Sequence, residues 1–275
     1  MDSGSIKFIN SASNPLVKEV VKLQTKKRVR DESKLFVIEG FRENVRALAS
    51  GVKLKKLIYS PDWFLKDSNE DLIRNARESG AELVEVSKGV FTKISYRDRP
   101  DGFISIAEQI ENDITNIKIK DEDIFLVVEQ IEKPGNLGTL LRGCDATGIA
   151  GLIVCDPVTD IFNPNVVRAS TGALFSVPVF VYKDSDDVIE WLKENKVRTF
   201  STTPHTDNIY WDVKFSTGGP IAIVAGAEQY GLSDKWLKES DELVKLPMRG
   251  SADSLNIAVS SIVCIYEAIR QRGAS

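Results

Sequence analysis

The hydrophobic and polar positions of the chain follow two periods that alternate from one end to the other. Apolar residues spaced three and four apart predict amphipathic helices, whereas short runs rich in Val, Ile and Leu predict buried strands. In the first hundred residues these patterns indicate a small α/β domain. The predicted strands are Leu35–Ile38, Leu54–Tyr59, Leu83–Val86 and Phe103–Ala107, and the predicted helices are one capped by Asn14 and begun at Pro15, Phe41–Ser50, Asp71–Ser79 and Val90–Ile94.

The second half of the chain has a more regular rhythm of short apolar strands separated by helices. Strands of this kind are buried on both faces, so the rhythm predicts a mostly parallel sheet covered by helices on both sides. A polar, charge-rich stretch at 111–123 is predicted to be a linker between domains at 1–110 and 124–275. The predicted strands are Ile124–Val128, Leu152–Cys155, Val179–Tyr182, Val197–Ser201, Ile221–Ala225 and Leu243–Leu246, and the predicted helices are Leu137–Thr147, Asn165–Ser170, Asp186–Glu194, Asp234–Glu239 and Leu255–Arg270.

The composition, 42% hydrophobic and 28% charged, is typical of a soluble globular protein with a real core. No apolar run approaches the roughly 20 residues of a membrane helix, and the N-terminus lacks the pattern of a secretory signal. The three cysteines are isolated, which argues against a zinc site or a disulfide framework and fits a reducing, cytoplasmic location. A net charge of -4 gives no global attraction to nucleic acid, so any contact with RNA would need a local basic face.

Several common catalytic signatures are missing from the sequence. The chain has no GxxxxGK[ST], no GxGxxG after a strand and no GxSxG, which argues against a P-loop enzyme, ordinary dinucleotide binding and a serine hydrolase. His205 is the only histidine, which leaves little room for a histidine-based triad or a metal cage. We therefore predict no metal.

The stretch Asn136–Gly148 has the features of a ligand-binding helix. It follows the predicted strand Ile124–Val128 and a Lys-Pro-Gly turn, and Asn136 occupies the position expected for an N-cap. Arg142 and Asp145 lie three apart on the polar side, so they can face a ligand together. A strand, a tight turn and a helix N-terminus favour an anion or a nucleotide. A buried amphipathic helix with a solvated arginine explains the same pattern.

A second stretch, Ile221–Ser233, runs from a strand into a glycine-containing turn. Ligands of open parallel sheets bind at the carboxyl ends of the strands, where Gly226 would let a ligand approach the backbone. Glu228 would place a carboxylate at the rim of such a site. A plain strand-to-helix turn is the alternative interpretation.

A third stretch, Leu246–Ala258, is predicted to leave a strand, cross a loop and enter the last helix. Ser254 is placed as the N-cap of that helix. Asn256 falls off the apolar stripe of the helix, so it is free to hydrogen-bond a substrate.

A basic stretch lies near the N-terminus, at the end of the first predicted helix. Cations are favoured near a helix C-terminus, so a solvated helix end explains this stretch without any function. A patch that contacts RNA phosphates is the alternative. Its candidate residues are Lys26, Lys27, Arg28 and Arg30.

Taken in order, the motifs NLGTLLRGCDATG, GAEQYGLS and LPMRGSADSLNIA resemble those of the SpoU (TrmH-like) branch of the SPOUT RNA methyltransferases. The resemblance covers about Ile124 to Arg270, and the N-terminal part is similar to the substrate-binding domain of many members. Asp253 is a departure, since glutamate is common at that position. The resemblance implies a C-terminal segment threaded into a deep trefoil knot, which sequence rhythm alone would not predict because threaded chains are rare.

The resemblance also implies a reaction and its residues. S-adenosylmethionine would be the cofactor, the reaction a methyl transfer to a ribose 2′-hydroxyl of ribosomal or transfer RNA, and the enzyme a homodimer. Arg142 would be the leading catalytic residue; because a guanidinium is a poor base, we expect it to bind a phosphate or the developing alkoxide. The other residues implied are Asn136, Glu228, Ser254 and Asn256 for catalysis, Ala225, Gly226, Leu246, Met248 and Leu255 for the cofactor, and Arg168 for RNA.

Three other functions remain open at this point. A non-catalytic RNA-binding module on the same fold would not bind S-adenosylmethionine. A methyltransferase directed at a base would leave the ribose unmodified. An unrelated α/β enzyme for a phosphorylated metabolite would act without RNA.

Overall fold

The computed structural model describes residues 6–65, 69–216 and 218–273, which form eleven strands and ten α-helices. The strands are β1 (Lys7–Ile9), β2 (Leu35–Glu39), β3 (Leu54–Tyr59), β4 (Glu82–Val86), β5 (Phe103–Glu108), β6 (Ile124–Glu129), β7 (Gly151–Cys155), β8 (Val179–Tyr182), β9 (Arg198–Thr202), β10 (Ile221–Ala225) and β11 (Glu242–Val244). The helices are α1 (Pro15–Thr25), α2 (Lys27–Ser33), α3 (Phe41–Ala49), α4 (Asn69–Glu78), α5 (Lys88–Ile94), α6 (Pro134–Thr147), α7 (Pro164–Ser170), α8 (Ser185–Glu194), α9 (Asp234–Glu239) and α10 (Ile257–Gln271).

The chain divides into two compact units. Unit 1 contains the residues up to Ile110 together with Asp160–Ser176, and unit 2 contains Glu111–Thr159 with the residues from Val177 onward. The segment Asp160–Ser176 thus packs with unit 1 although it lies within the sequence range predicted for the second domain. The predicted linker belongs to unit 2, where Ile114 is buried and contributes to the core.

Unit 1 is built on a mixed five-stranded sheet with the order β1-β4-β3-β5-β2. Strand β4 runs parallel to β1 and β3, whereas β5 is antiparallel to β3 and β2. Helix α1 begins as predicted: Pro15 is its first residue, and the Asn14 side chain accepts a hydrogen bond from the Leu16 amide at 2.9 Å. The buried face of α1 packs against the sheet through Val17, Val20 and Leu23.

Unit 2 is built on a six-stranded sheet with the order β11-β9-β10-β6-β7-β8, in which every neighbouring pair is parallel. The prediction of a parallel sheet with helices is confirmed. Strands β6, β7 and β10 are buried along their whole length, as a sheet covered on both faces requires. Strand β10 lies in the centre between β6 and β9, so the carboxyl ends of these three strands share one edge of the sheet.

Two predicted helix starts are wrong. Helix α6 begins at Pro134 rather than after Asn136, because proline is already suited to the first turn. Helix α10 begins at Ile257, and its N-cap is Asn256, whose side chain accepts a hydrogen bond from the Ala258 amide at 3.0 Å. Ser254 is therefore not the cap. No helix in the described part of the chain is long and apolar enough to cross a membrane.

Candidate active site

Helix α6 places polar side chains on one side and a packed apolar face on the other. Leu137, Leu140, Leu141 and Cys144 are all buried, as the periodicity predicted. At Gly143 an added Cβ would lie closer than 3.0 Å to the Ile262 side chain of α10. Glycine at this position therefore lets α10 pack closely against the helix that carries Asn136 and Arg142.

A hydrogen-bonded cluster of four side chains, which we call the Glu228 network, joins the three sequence motifs. Lys133 and Asn136, at the start of α6, both bind the Glu228 carboxylate, Lys133 through an ion pair. The Asn256 amide nitrogen lies 3.0 Å from Glu228 Oε1 and 3.0 Å from Asn136 Oδ1. Asn256 also caps α10, so the network fixes the start of that helix against the start of α6.

The network is charged at neutral pH. The hydrogen bond from the Lys133 ammonium, with a smaller effect of Asn136, lowers the pKa of the Glu228 carboxyl below its ordinary value. The same contact raises the pKa of Lys133. Glu228 is thus an acceptor of hydrogen bonds over the whole physiological range and is not suited to donate a proton.

The turn that carries Glu228 is held at both ends. The Gly231 amide donates to the Ala227 carbonyl at 2.9 Å and closes the turn. Beyond it, the Ser233 amide and hydroxyl donate to the buried Glu129 carboxylate at 2.8 and 2.7 Å. A Cβ on Gly226 would lie closer than 3.0 Å to backbone atoms of Gly231, so this glycine serves the turn itself. That a ligand approaches the backbone at Gly226 stays a prediction.

An open cleft of about 120 Å³ lies at the carboxyl ends of β9 and β11. Apolar walls come from Leu246, Met248 and Leu255, three of the residues predicted to bind the cofactor, and Ser254 and Asp253 also line it. The remaining lining residues are Thr202, Thr203, Pro204, Val244 and Ser260.

Two other predicted cofactor residues do not line this cleft. Ala225 is buried at the end of β10, and Gly226 follows it. The Thr202 hydroxyl of the cleft donates to the carbonyl of Val224 at 3.1 Å, which connects the cleft to the end of β10.

Arg142 is not bonded to the Glu228 network in the described part of the chain. Its side chain is on the exposed face of α6, and within the described residues no hydrogen bond or ion pair connects it to Asn136, Glu228 or Asn256. The structure therefore brings together four polar residues of the site but leaves the leading catalytic candidate facing solvent.

The basic stretch of unit 1 is only partly available to RNA. Lys26, Lys27 and Arg28 are exposed, and the latter two form ion pairs of 2.6 Å with Asp31 and Glu32.

The structure corrects the prediction that Arg30 contacts RNA. Its side chain is 3% exposed, pairs with Asp160 at 2.6 Å and donates to the Leu23 carbonyl, so it stabilises unit 1. Arg168, on α7, is exposed, and its guanidinium lies 5.6 Å from the centre of the Tyr96 ring.

Sequence reasoning missed two parts of the site. The sequence analysis placed Lys133 only in a turn. A basic residue directly before one motif helix, in a chain whose second motif carries a carboxylate, could have indicated the ion pair with Glu228. Thr202 is the last residue of β9 and Thr203 follows it, and the rule that ligands bind at the carboxyl ends of parallel strands points to both.

Solved structures with the same architecture are RNA methyltransferases. An AdoMet-bound rRNA methyltransferase from Sinorhizobium meliloti superposes with a TM-score of 0.88 at 30% identity, covering 97% of this chain and 98% of that one. The SpoU methyltransferase AviRb from Streptomyces viridochromogenes, in complex with AdoMet, gives a TM-score of 0.85 at 27% identity, covering 95% and 100%. The parallel sheet and the converging motifs thus define a methyltransferase-type α/β fold.

The chain belongs to the SpoU rRNA Methylase family, whose model matches residues 123–266. An MRM3-like substrate binding domain matches residues 14–105. Among the relatives, the 23S rRNA (guanosine-2'-O-)-methyltransferase RlmB of Vibrio parahaemolyticus is 34% identical over 222 residues, which are 78% of this chain and 89% of that protein. The resemblance stated from the three motifs is confirmed.

Proposed function

We propose that this protein is an S-adenosylmethionine-dependent methyltransferase that modifies a ribose 2′-hydroxyl of ribosomal RNA. The observation that carries the proposal is the Glu228 network, which joins the three SpoU motifs beside a cleft at the strand ends. The relatives named 2′-O-methyltransferases of 23S rRNA support the reaction and the substrate class. Ribosomal RNA as substrate would place the enzyme in the cytoplasm.

The cleft has the chemistry that this cofactor needs. S-adenosylmethionine supplies a methyl group already activated on a positively charged sulfonium. The cleft offers apolar walls for an adenine ring through Leu246, Met248 and Leu255, and hydroxyl groups of Thr202 and Thr203. Its lining contains the acidic Asp253 and no basic residue, which suits a cationic ligand. Ala225 and Gly226 would contribute backbone groups at the adjoining strand end.

The side chains divide into two roles. Asn136, Glu228 and Asn256 use their polar atoms largely on one another, so they hold the loops in place. Arg142 keeps an exposed guanidinium, a kind of group that is a poor base and a good ligand for anions. It would bind the phosphate next to the target nucleotide or the developing alkoxide. Ser254, in the cleft lining, would orient the substrate.

A deep trefoil knot is part of the proposal. After β10 in the centre of the sheet the chain runs to the edge strand β11, and α10 then returns to pack on α6 and β10. The segment between β11 and α10 would pass through a loop of the chain on this return.

We also propose a homodimer. Helix α10 exposes Val259 (47%) and Tyr266 (51%), an apolar surface that a second subunit would cover. The exposed Arg142 would then act across the interface. Sedimentation velocity tests this, with a monomer at micromolar concentration as the contrary result.

RNA would first contact unit 1. Lys26, Lys27 and Arg28 are exposed there, as is Arg168, and the substrate-binding model matches most of this unit. Because the protein has a net charge of -4, these local cations would carry the phosphate contacts.

Two measurements test the proposed function. Nucleoside digestion and mass spectrometry of ribosomal RNA from a strain lacking the protein should show the loss of one 2′-O-methylated nucleotide, restored by the wild-type gene. Isothermal titration calorimetry should show that the purified protein binds S-adenosylmethionine. A complete methylation pattern in the deletion strain, or the absence of cofactor binding, would refute the proposal.

A further inference from the structure

An aromatic side chain stands exposed at the tip of the turn that carries Glu228. Tyr230 is 74% exposed, the highest value for a large hydrophobic side chain among the residues that the structure describes. At the two ends of the turn Ala227 and Leu232 are buried, whereas Gln229 and Gly231, on either side of Tyr230, are exposed. The turn is therefore anchored at its buried ends and presents Tyr230 at its exposed tip.

The turn that presents Tyr230 is fixed on both sides. On one side Glu228 is bound by Lys133, Asn136 and Asn256. On the other side Ser233 is bound twice to the buried carboxylate of Glu129. An aromatic ring on a fixed turn loses little conformational entropy when a ligand covers it, which makes it a good contact surface.

The position of the ring and the charge of the turn indicate what would cover it. Tyr230 is two residues from Glu228, whose carboxylate is bonded to side chains of the other two motifs, so the turn that presents the ring is part of the proposed active site. The stretch from Gly226 to Ser233 contains no lysine, arginine or histidine. A turn without cations does not suit a phosphate, whereas an exposed aromatic ring suits the face of a nucleobase.

We propose that Tyr230 stacks on the base of the nucleotide whose ribose is methylated. The inference rests on the proposed function and adds the form of the substrate. Every base has a π-face, so stacking tolerates any base but requires that the base be free of its helix. The enzyme would therefore act on a nucleotide in a loop or bulge of RNA, with base identity decided elsewhere.

The test is a cycle of two changes, one in the protein and one in the RNA. Wild type and Tyr230→Ala are assayed on the mapped RNA fragment and on the same fragment with an abasic target nucleotide, which keeps the 2′-hydroxyl. Wild type should lose about tenfold in kcat/KM when the base is removed, and Tyr230→Ala should lose about tenfold on the normal fragment. For Tyr230→Ala, removing the base should lower kcat/KM almost no further, because the protein change and the RNA change each remove the same stacking interaction.

Two variants serve as controls. Tyr230→Phe keeps the ring and should retain wild-type kcat/KM on both fragments. Trp211→Ala removes another exposed aromatic ring of unit 2, 44% exposed, and should leave the base dependence intact. Affinity for S-adenosylmethionine should be the same in all variants, since Tyr230 does not line the cleft.

Each contrary outcome has a distinct meaning. Additive losses in the cycle, or wild-type kcat/KM for Tyr230→Ala, would overturn the stacking contact and leave the proposed function standing. A change of oligomeric state in Tyr230→Ala, measured by sedimentation, would show that the ring belongs to a protein interface and would also overturn it. A wild-type protein that methylates no RNA would overturn the proposed function and this inference with it.

Discussion

Replacing Gly226 by alanine tests whether the turn that carries Glu228 is as tightly fitted as its geometry implies. The new Cβ would lie closer than 3.0 Å to the backbone of Gly231 and Leu232, and backbone cannot rotate away as a side chain can. The Gly231–Leu232 segment must therefore move. That movement would weaken or break the hydrogen bond from Gly231 to Ala227 and the two hydrogen bonds from Ser233 to the buried Glu129.

The magnitude follows from those bonds. A neutral backbone hydrogen bond contributes about 1 kcal/mol, and a bond to a buried carboxylate about 1.5–3 kcal/mol. If the backbone bond and one of the two carboxylate bonds are lost, Gly226→Ala should lower the free energy of unfolding of unit 2 by about 3 kcal/mol. For a unit of this size the melting temperature should fall by about 8 °C.

Urea unfolding followed by tryptophan fluorescence measures the change in unit 2, which contains three of the four tryptophans, Trp191, Trp211 and Trp236. Gly219→Ala is the matched control, because an added Cβ there meets nothing within 4 Å. It should be within about 0.5 kcal/mol of wild type, as is usual at the surface. Equal stability of the two variants would refute the steric reasoning about the turn.

Three further predictions concern single side chains. Arg142→Ala should abolish methylation while calorimetry shows nearly unchanged affinity for S-adenosylmethionine, and wild-type turnover would remove this residue from the mechanism. Arg30→Ala should lower the free energy of unfolding by about 3–5 kcal/mol, because it leaves the buried Asp160 carboxylate without its partner; a loss below about 1 kcal/mol in urea unfolding would contradict this. The folded-state pKa of Glu228 lies below its ordinary value of 4.5, so the stabilisation by Lys133 is present above pH 4.5 and is lost as the pH falls through the lowered pKa. The stability difference between wild type and Glu228→Gln should accordingly shrink below pH 4.5, and a difference that does not change with pH would show that this ion pair contributes nothing.

Ten of the eleven described strands, all except β1, were predicted, because their sequences are unambiguous. Ile221–Ala225 and Val179–Tyr182 were predicted to the residue, since short apolar runs bounded by turn residues have few other ways to be buried. The N-caps of α6 and α10 were predicted wrongly. Asn136 and Ser254 are both good capping residues by type, yet Pro134 already starts one helix and Asn256 caps the other. Residue type alone does not decide which of several capping residues is used.

The features that the sequence did not predict depend on contacts between residues far apart in the chain. Arg30 looked like a solvated cation because nothing near it in sequence is its partner; the partner, Asp160, is 130 residues away. The same limit applies to the site. The sequence placed Asn136, Glu228 and Asn256 near the ends of strands and helices, but only the folded chain shows that they bind one another and that Lys133 joins them.

The bonds within the Glu228 network change how its members should act in the reaction. A side chain whose polar atoms are already bonded to other side chains has less capacity to bind a substrate, so Asn136 and Asn256 differ in role from the exposed Arg142. Loss of Asn256 would release the cap of α10 and the turn of Glu228 together, which affects the cofactor cleft as well as the RNA site. Loss of Arg142 affects only what the guanidinium touches. The site is thus a fixed framework made of three motifs, with the chemistry carried by the few groups that the framework leaves exposed.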